Sequence, residues 1–440
     1  MTTSFLLRLG TLLLACLFPL SSHADPLTVE EAIRVAWQHN MGLAGGQAMV
    51  EAARGDAEVA RAGWLPSMVV SANALATKEP MMAFGLKLNQ QRIGAADFDP
   101  ARLNSPDLVG GFGLGATVMQ PLYMGGRLAA GRQAAVAQAE AESLTQTRRT
   151  QELALNVVRA YFGAQVAMQG LAFAQDVLTQ ARETENFARA RNQQGLALDA
   201  DVARATAFRA QAEADHSIAE QRLASARAML VLLTDERAAT AELATPLSLP
   251  DWGPAGANPD GEERPDVRAA RLRIEGARQM AAATHGKLLP EVLAQATVET
   301  MRSDFDQGAL WYSLGLVARW RLSIADRRAE VADKHRIAAS VAAHEWQARQ
   351  ARYEIEEARR SLDSARERMV SAQEAINAAE SARTLRRERH REGLLPLTEV
   401  LDAEAGLAGA RALLLRSEFE ARFANAQVQF ASGQPIEGVK

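Results

Sequence analysis

The sequence predicts a mainly helical chain with a small membrane β part: long coiled-coil helices, four transmembrane-type strands and two internal repeats. Three observations lead there. No proline stands between Pro121 and Pro246, or between Pro290 and Pro396, so two very long helical stretches run uninterrupted. Four short segments alternate apolar with small or polar residues at period two. A turn motif recurs at a fixed distance along the chain.

Composition bounds the reading. Aromatics are 5% of the 440 residues, with 4 Tyr and 6 Trp, while alanine makes up about a fifth. Small apolar side chains suit helices packed closely side by side. The formal net charge is -4, and the mean hydropathy is -0.15. Neither value supports nucleic-acid binding or a polytopic helical membrane protein. A single Cys excludes a disulfide framework and a Cys-based zinc site.

Residues 1–24 read as a targeting segment. Arg8 precedes the apolar run Leu9 to Leu20, and Ser21-Ser22-His23-Ala24 ends in a small-x-small pattern before Asp25. This is the form of a cleaved secretory signal peptide, with an apolar run too short to span a bilayer. Cys16 after Leu13-Leu14-Ala15 is the rival, lipoprotein-type site. Leu14 fits that pattern poorly, and the apolar run continues past Cys16.

The rest divides into a first repeat over 25–245, a Pro/Gly-rich connector over 246–265, a second repeat over 266–432 and a tail over 433–440. Arg389, Gly393 and Glu399 each stand 198 positions after Arg191, Gly195 and Asp201. Gly63-Trp64-Leu65-Pro66 matches Lys287-Leu288-Leu289-Pro290 in type. Gln120 to Arg127 sits where the second half has Trp320 to Arg327. Each half therefore runs helix, strand, loop, strand, long helix, turn, return helix.

The long helices are expected over about Arg127 to Asn192 and Asp326 to Arg391, each on the order of 100 Å. Their partners are visible in the pattern. Ala348, Ala351, Ile355, Ala358, Leu362, Ala365, Met369, Ala372, Ile376 and Ala379 keep a 3-4 spacing. Val400, Ala403, Leu407, Ala410, Leu414, Ser417, Ala421, Ala424, Val428 and Ala431 keep it too. This is a heptad seam. Taken alone, the helices fit a plain periplasmic coiled-coil scaffold or adaptor without a pore.

The strands argue for a pore instead. Leu310, Tyr312, Leu314, Leu316, Ala318, Trp320, Leu322 and Ile324 fall on one strand face. Val292 to Val298, Met68 to Ala74 and Phe112 to Val118 alternate likewise. Tyr312 and Trp320 are about 26 Å apart, the height of a lipid-facing band between aromatic girdles. Four strands cannot close a membrane barrel, and open edges are not tolerated in lipid. Strands must be pooled between chains: two copies give eight, three give twelve, and a lumen favours three.

These elements, the twofold repeat, Gln120-Pro121-Leu122-Tyr123-Met124-Gly125-Gly126-Arg127 and the paired Gly-Leu turns resemble the TolC-like outer membrane efflux proteins. The resemblance implies a homotrimer with a twelve-stranded barrel in the outer membrane of a Gram-negative cell and a helical tunnel across the periplasm. It implies an exit duct of a tripartite efflux or type I secretion system, working with a periplasmic adaptor and an inner-membrane transporter. Gly195-Leu196 and Gly393-Leu394 then form the adaptor-contacting tip. Glu399 and Asp402 match the family's two gate acids, and Asp201 matches a helix acid that helps hold the gate closed. Without the resemblance, each of these acids is a carboxylate near a helix N-terminus, favoured there by exposed N–H groups. Leu395 stands where the family's best-known member has an arginine, so the closed state here relies on other contacts.

Elsewhere the sequence offers packing rather than chemistry. Met81 and Met82, in an outer loop over about Thr77 to Val109, read as packing residues. His285, His335, His344 and His390 show no paired ligand spacing. No nucleophile elbow, phosphate loop or metal-protease helix is present. No enzyme activity, cofactor or metal is expected, and the transported substrate is not encoded in any motif.

Overall fold

A computed structural model describes residues 26–248, 260–303 and 308–439. The targeting segment with Cys16, and most of the connector, lie outside the described residues. The elements run α1 (Val29–His39), α2 (Met41–Ala62), β1 (Ser67–Thr77), α3 (Pro80–Asn89), α4 (Pro100–Asn104), β2 (Val109–Met124), α5 (Arg127–Gln193) and α6 (Asp199–Leu233). They continue with α7 (Pro265–Gly286), β3 (Glu291–Arg302), β4 (Gly308–Arg319), α8 (Ile324–Arg391) and α9 (Leu397–Ala431). The chain is mainly helical, as composition and proline spacing require. No helix among the described residues is long and apolar enough to cross a membrane.

The chain forms two compact units. The first comprises Met1–Met41, Thr150–Pro259 and Glu354–Lys440; the second comprises Gly42–Arg149 and Asp260–Tyr353. Both long helices, α5 and α8, contribute to each.

In the first unit the expected seam is present. Ile355, Ala358, Leu362 and Ala365 of α8 pack on Ala421, Ala424, Val428 and Ala431 of α9. Alanine on alternate layers lets the backbones approach, and the larger residue opposite fills the gap. The chain ends of this unit are pinned by side chains of α5. Tyr161 donates to Leu27 O at 2.6 Å and accepts from Thr245 N at 3.0 Å. Gln165 Nε2 donates to Leu243 O and Thr245 O. Arg422 of α9 pairs with Glu437 at 2.8 Å, both side chains almost fully buried.

The second unit holds a four-stranded antiparallel sheet in the order β1-β2-β3-β4. Its outer edges, β1 and β4, have no strand partner among the described residues. Register places Met68, Val70 and Ala72 opposite Val118, Ala116 and Leu114, which continue to Ala296, Val298 and Thr300 and to Leu314, Tyr312 and Leu310. This face is bare: Leu114, Leu310, Tyr312, Leu314 and Leu316 are all exposed. The other face carries Ser71, Thr117, Gln295, Thr297 and Glu299, with Thr117 and Thr297 hydroxyls 3.2 Å apart.

A Gly-Gly turn joins β2 to α5. Gly125 has φ +61 and Gly126 φ +79, and a Cβ on Gly125 would stand 2.2 Å from Gly286 O at the end of α7. Only glycine permits that approach.

Two expectations are corrected. The alternation of the last strand was expected to run to Ile324, but β4 ends at Arg319 and α8 begins at Ile324. Ser323 Oγ accepts from Asp326 N at 3.4 Å, an N-cap contact that starts the helix and overrides the period-two pattern. Met81 and Met82 do not pack; both are exposed. The helical period instead turns Ala83 and Leu86 of α3 inward, onto Val109 and Met301.

Candidate functional site

The two turns that join the long helices to their return helices have one construction. Gly195 N donates to Asn192 O at 2.9 Å and Leu196 N to Arg191 O at 2.8 Å. Gly393 N donates to His390 O at 3.0 Å and Leu394 N to Arg389 O at 2.9 Å. These are Schellman caps, with Gly195 at φ +73 and Gly393 at φ +77 in the left-handed position. A side chain braces each turn. Asn192 Nδ2 donates to Ala197 O at 3.0 Å. His390 Nδ1, which must carry its proton here, donates to Leu395 O at 2.8 Å. The brace repeats at the same 198-residue offset although Asn and His share no shape.

The turns meet in the first unit. Ala188 and Ala205 pack against Leu397 and Val400, with Val202 and Leu401 beside them. A cavity of about 180 Å³ lies next to this cluster, lined by Phe187, Arg191, Leu196, Asp201, His390 and Leu395 among others. Leu196 and Leu394 point outward, 63% and 67% exposed.

The three acids singled out in the sequence have different surroundings. Asp201 accepts from Leu198 N at 3.3 Å, capping its own helix. Glu399 lies 3.4 Å from Arg386 Nη1, which also donates to its backbone carbonyl. Asp402 is exposed, and no hydrogen bond or ion pair holds it among the described residues. The structure thus brings Asp201 into the cavity between the turns, gives Glu399 a basic partner and leaves Asp402 bare.

A second layer of charges, missed in the sequence, ties the helices just behind the turns. Arg383 of α8 contacts both oxygens of Glu404 of α9 through Nε, at 3.0 and 2.9 Å. Its Nη2 donates to Gln180 of α5 at 2.6 Å. Arg387 adds a 3.5 Å contact to Glu404. In the first half, Glu185 of α5 contacts Arg209 of α6 at 3.0 Å and Arg189 at 2.8 Å. The Thr206 hydroxyl, then the two guanidinia, hold its carboxyl below the usual glutamate range against the opposing effect of burial. Positions 185 and 206 correspond to 383 and 404 under the repeat offset. The two knots therefore share a register with the acid on opposite helices. The offset was the signal that could have found them, since a surface Arg or Glu is otherwise unremarkable.

Of the two aromatics assigned to a girdle, Tyr312 lies in β4 and is 77% exposed on the bare face. Trp320 lies beyond the strand; it is 64% exposed, and its indole Nε1 donates to Leu288 O at 2.9 Å. Tethering at one end leaves the ring on the surface.

A family model described as outer membrane efflux protein matches residues 32–235 and 261–434. A search of curated proteins finds no match. Solved structures match over nearly the whole chain. The CmeC outer membrane channel of Campylobacter jejuni is 15% identical with a TM-score of 0.82, covering 94% of this chain and 87% of that one. The outer membrane protein VceC of Vibrio cholerae is 21% identical with a TM-score of 0.77, covering 93% and 97%. The MtrE outer membrane channel of Neisseria gonorrhoeae, in its open state, is 20% identical with a TM-score of 0.76, covering 92% and 89%. These likenesses are of fold.

Proposed function

The chain belongs to the outer membrane efflux protein family, and from that membership we propose that three copies assemble into an export duct in the outer membrane of a Gram-negative cell. The family is one of transport channels and not of enzymes, and the coiled-coil scaffold without a pore is not favoured. The observation that carries the assembly is the sheet: two edges with no partner among the described residues and one bare apolar face. In lipid, such edges must be paired by neighbouring copies. Three copies give twelve strands around a lumen, with Tyr312 and Trp320 as the aromatic girdle.

In this reading residues 1–24 direct export and the chain divides into two repeats about the 246–265 connector. The long helices extend into the periplasm as a tunnel. The turns at Gly195-Leu196 and Gly393-Leu394 are its tip, where the exposed Leu196 and Leu394 offer apolar contacts to a periplasmic adaptor. An inner-membrane transporter supplies the substrate, in a tripartite efflux or type I secretion system. Asp201, Glu399 and Asp402 form the periplasmic gate. Arg386, beside Glu399, takes the part of the basic residue that Leu395 replaces. Arg383, reaching both Glu404 and Gln180, latches helices of the two halves together behind it.

Membrane extraction followed by mass determination tests the assembly. The duct requires detergent and has the mass of a trimer in it. Release from membranes by alkali, as a folded monomer, would overturn it.

A further inference from the structure

The polar sheet face contains a charge that the gate does not use. Register aligns Ser71, Gly115, Glu299 and Trp311 in one row across all four strands. Alternation puts these residues on the face opposite the bare apolar one. Gly115 makes the row open: a Cβ there would stand 3.1 Å from Ser71 Oγ and 3.2 Å from Glu299 Cγ. The Glu299 side chain thus lies across the glycine rather than beside a larger neighbour.

Among the described residues, the charged side chains on this face of the strands are Glu291, Glu299 and Arg319. Glu291 is neutralised by Arg319 at 3.2 Å and by Arg127 at 3.1 Å. Glu299 has no ion pair among the described residues. It stands eight residues further along β3, about 26 Å from Glu291, and three residues from the end of the strand at Arg302. Its described neighbours on the wall are uncharged: Asn73, Ser71, Thr117, Thr297 and Gln295. A lone carboxylate on a neutral lumen wall gives that wall its field.

We propose that Glu299 sets the charge preference of passage through the barrel and, with Trp311 beside it, favours organic cations. The inference rests on the trimeric barrel proposed above. Trp311 is the cross-strand partner of Glu299, so its indole is within reach of a cation seated on the carboxylate. An ammonium group gains from the carboxylate by charge and from the ring face by its quadrupole. The selected cargo is a cationic organic molecule rather than an anion.

Reversal potentials across planar bilayers under a KCl gradient test this, with tetraethylammonium as the organic probe. The background is Glu399→Ala/Asp402→Ala, which removes the gate acids from the reading. The background pore prefers K⁺ over Cl⁻, and Glu299→Gln lowers the preference by about twofold or more at ~10 mM salt. The effect shrinks at ~150 mM, because the screening length falls from about 30 to about 8 Å. Glu299→Asp keeps the preference. Trp311→Leu leaves the K⁺ to Cl⁻ ratio intact and weakens tetraethylammonium block several-fold. A conducting pore whose reversal potential ignores Glu299→Gln overturns the role of Glu299 and spares the duct. Block indifferent to Trp311→Leu removes the organic-cation preference. A background protein that is monomeric in detergent and never conducts overturns the barrel and this inference with it.

Discussion

Arg383 and Glu404 are joined through one nitrogen and two oxygens, at 3.0 and 2.9 Å. The same guanidinium reaches Gln180 on α5, so a single side chain spans three helices. Both partners are mostly buried. Removing the arginine takes its donor from Gln180 and leaves Glu404 only the 3.5 Å contact of Arg387, a loss of about 1–3 kcal/mol for such charged hydrogen bonds. Arg383→Ala is expected to raise single-channel conductance, with the helical signal in circular dichroism unchanged. Unaltered conductance from folded protein would remove Arg383 from the latch.

The turn glycines differ in what holds them. Among the described residues nothing lies within 4 Å of a Cβ added at Gly195 or Gly393, so Ala there meets only the left-handed backbone cost, about 1–2 kcal/mol. Gly195→Ala and Gly393→Ala should lower the thermal midpoint slightly and leave the trimer intact. Gly125→Ala adds a collision with Gly286 O and should abolish assembly, read as loss of the trimer mass in detergent.

The α8–α9 seam carries its weight in a few larger residues. Ile355 is fully buried among alanines. Ile355→Ala should destabilise by about 2–5 kcal/mol, seen as a lower unfolding midpoint in denaturant. A loss well under ~1 kcal/mol would mean the seam is loosely packed.

Acid should weaken the second unit through Asp266. Burial works to raise this carboxyl, but hydrogen bonding from Arg264, the charge of Arg148 and a hydrogen bond from Gln347 outweigh it, and its pKa is lowered. A depressed carboxylate stabilises the fold at pH above its unfolded value of 3.8. That stability is lost as pH falls through the still lower folded value. Asp266→Asn should therefore cost stability at pH 7 and little at the acid end, in thermal melts at the two pH values. An equal cost at both ends would assign its role to shape rather than charge.

Much of this was legible in the sequence because it rests on periodicity. The helix ends at Gln193 and Arg391 fall within two residues of those expected, since the Gly of each Schellman cap is a strong stop. The seam follows from 3-4 spacing and the sheet from period two. The end of β4 was not legible, because Leu322 and Ile324 continue the alternation while Ser323 caps a helix. Contacts between helices, such as Gln180 with Arg383, depend on packing that no single helix encodes. The brace at His390 was hidden for another reason: it bonds through one ring nitrogen where Asn192 uses an amide.

Single-channel conductance of the purified protein, wild type beside Glu399→Ala/Asp402→Ala, addresses the central claim most directly. The account predicts a small, cation-preferring conductance that rises when both acids are removed. A pore indifferent to the double change would move the gate elsewhere. Folded protein that fails to insert at all would contradict the duct.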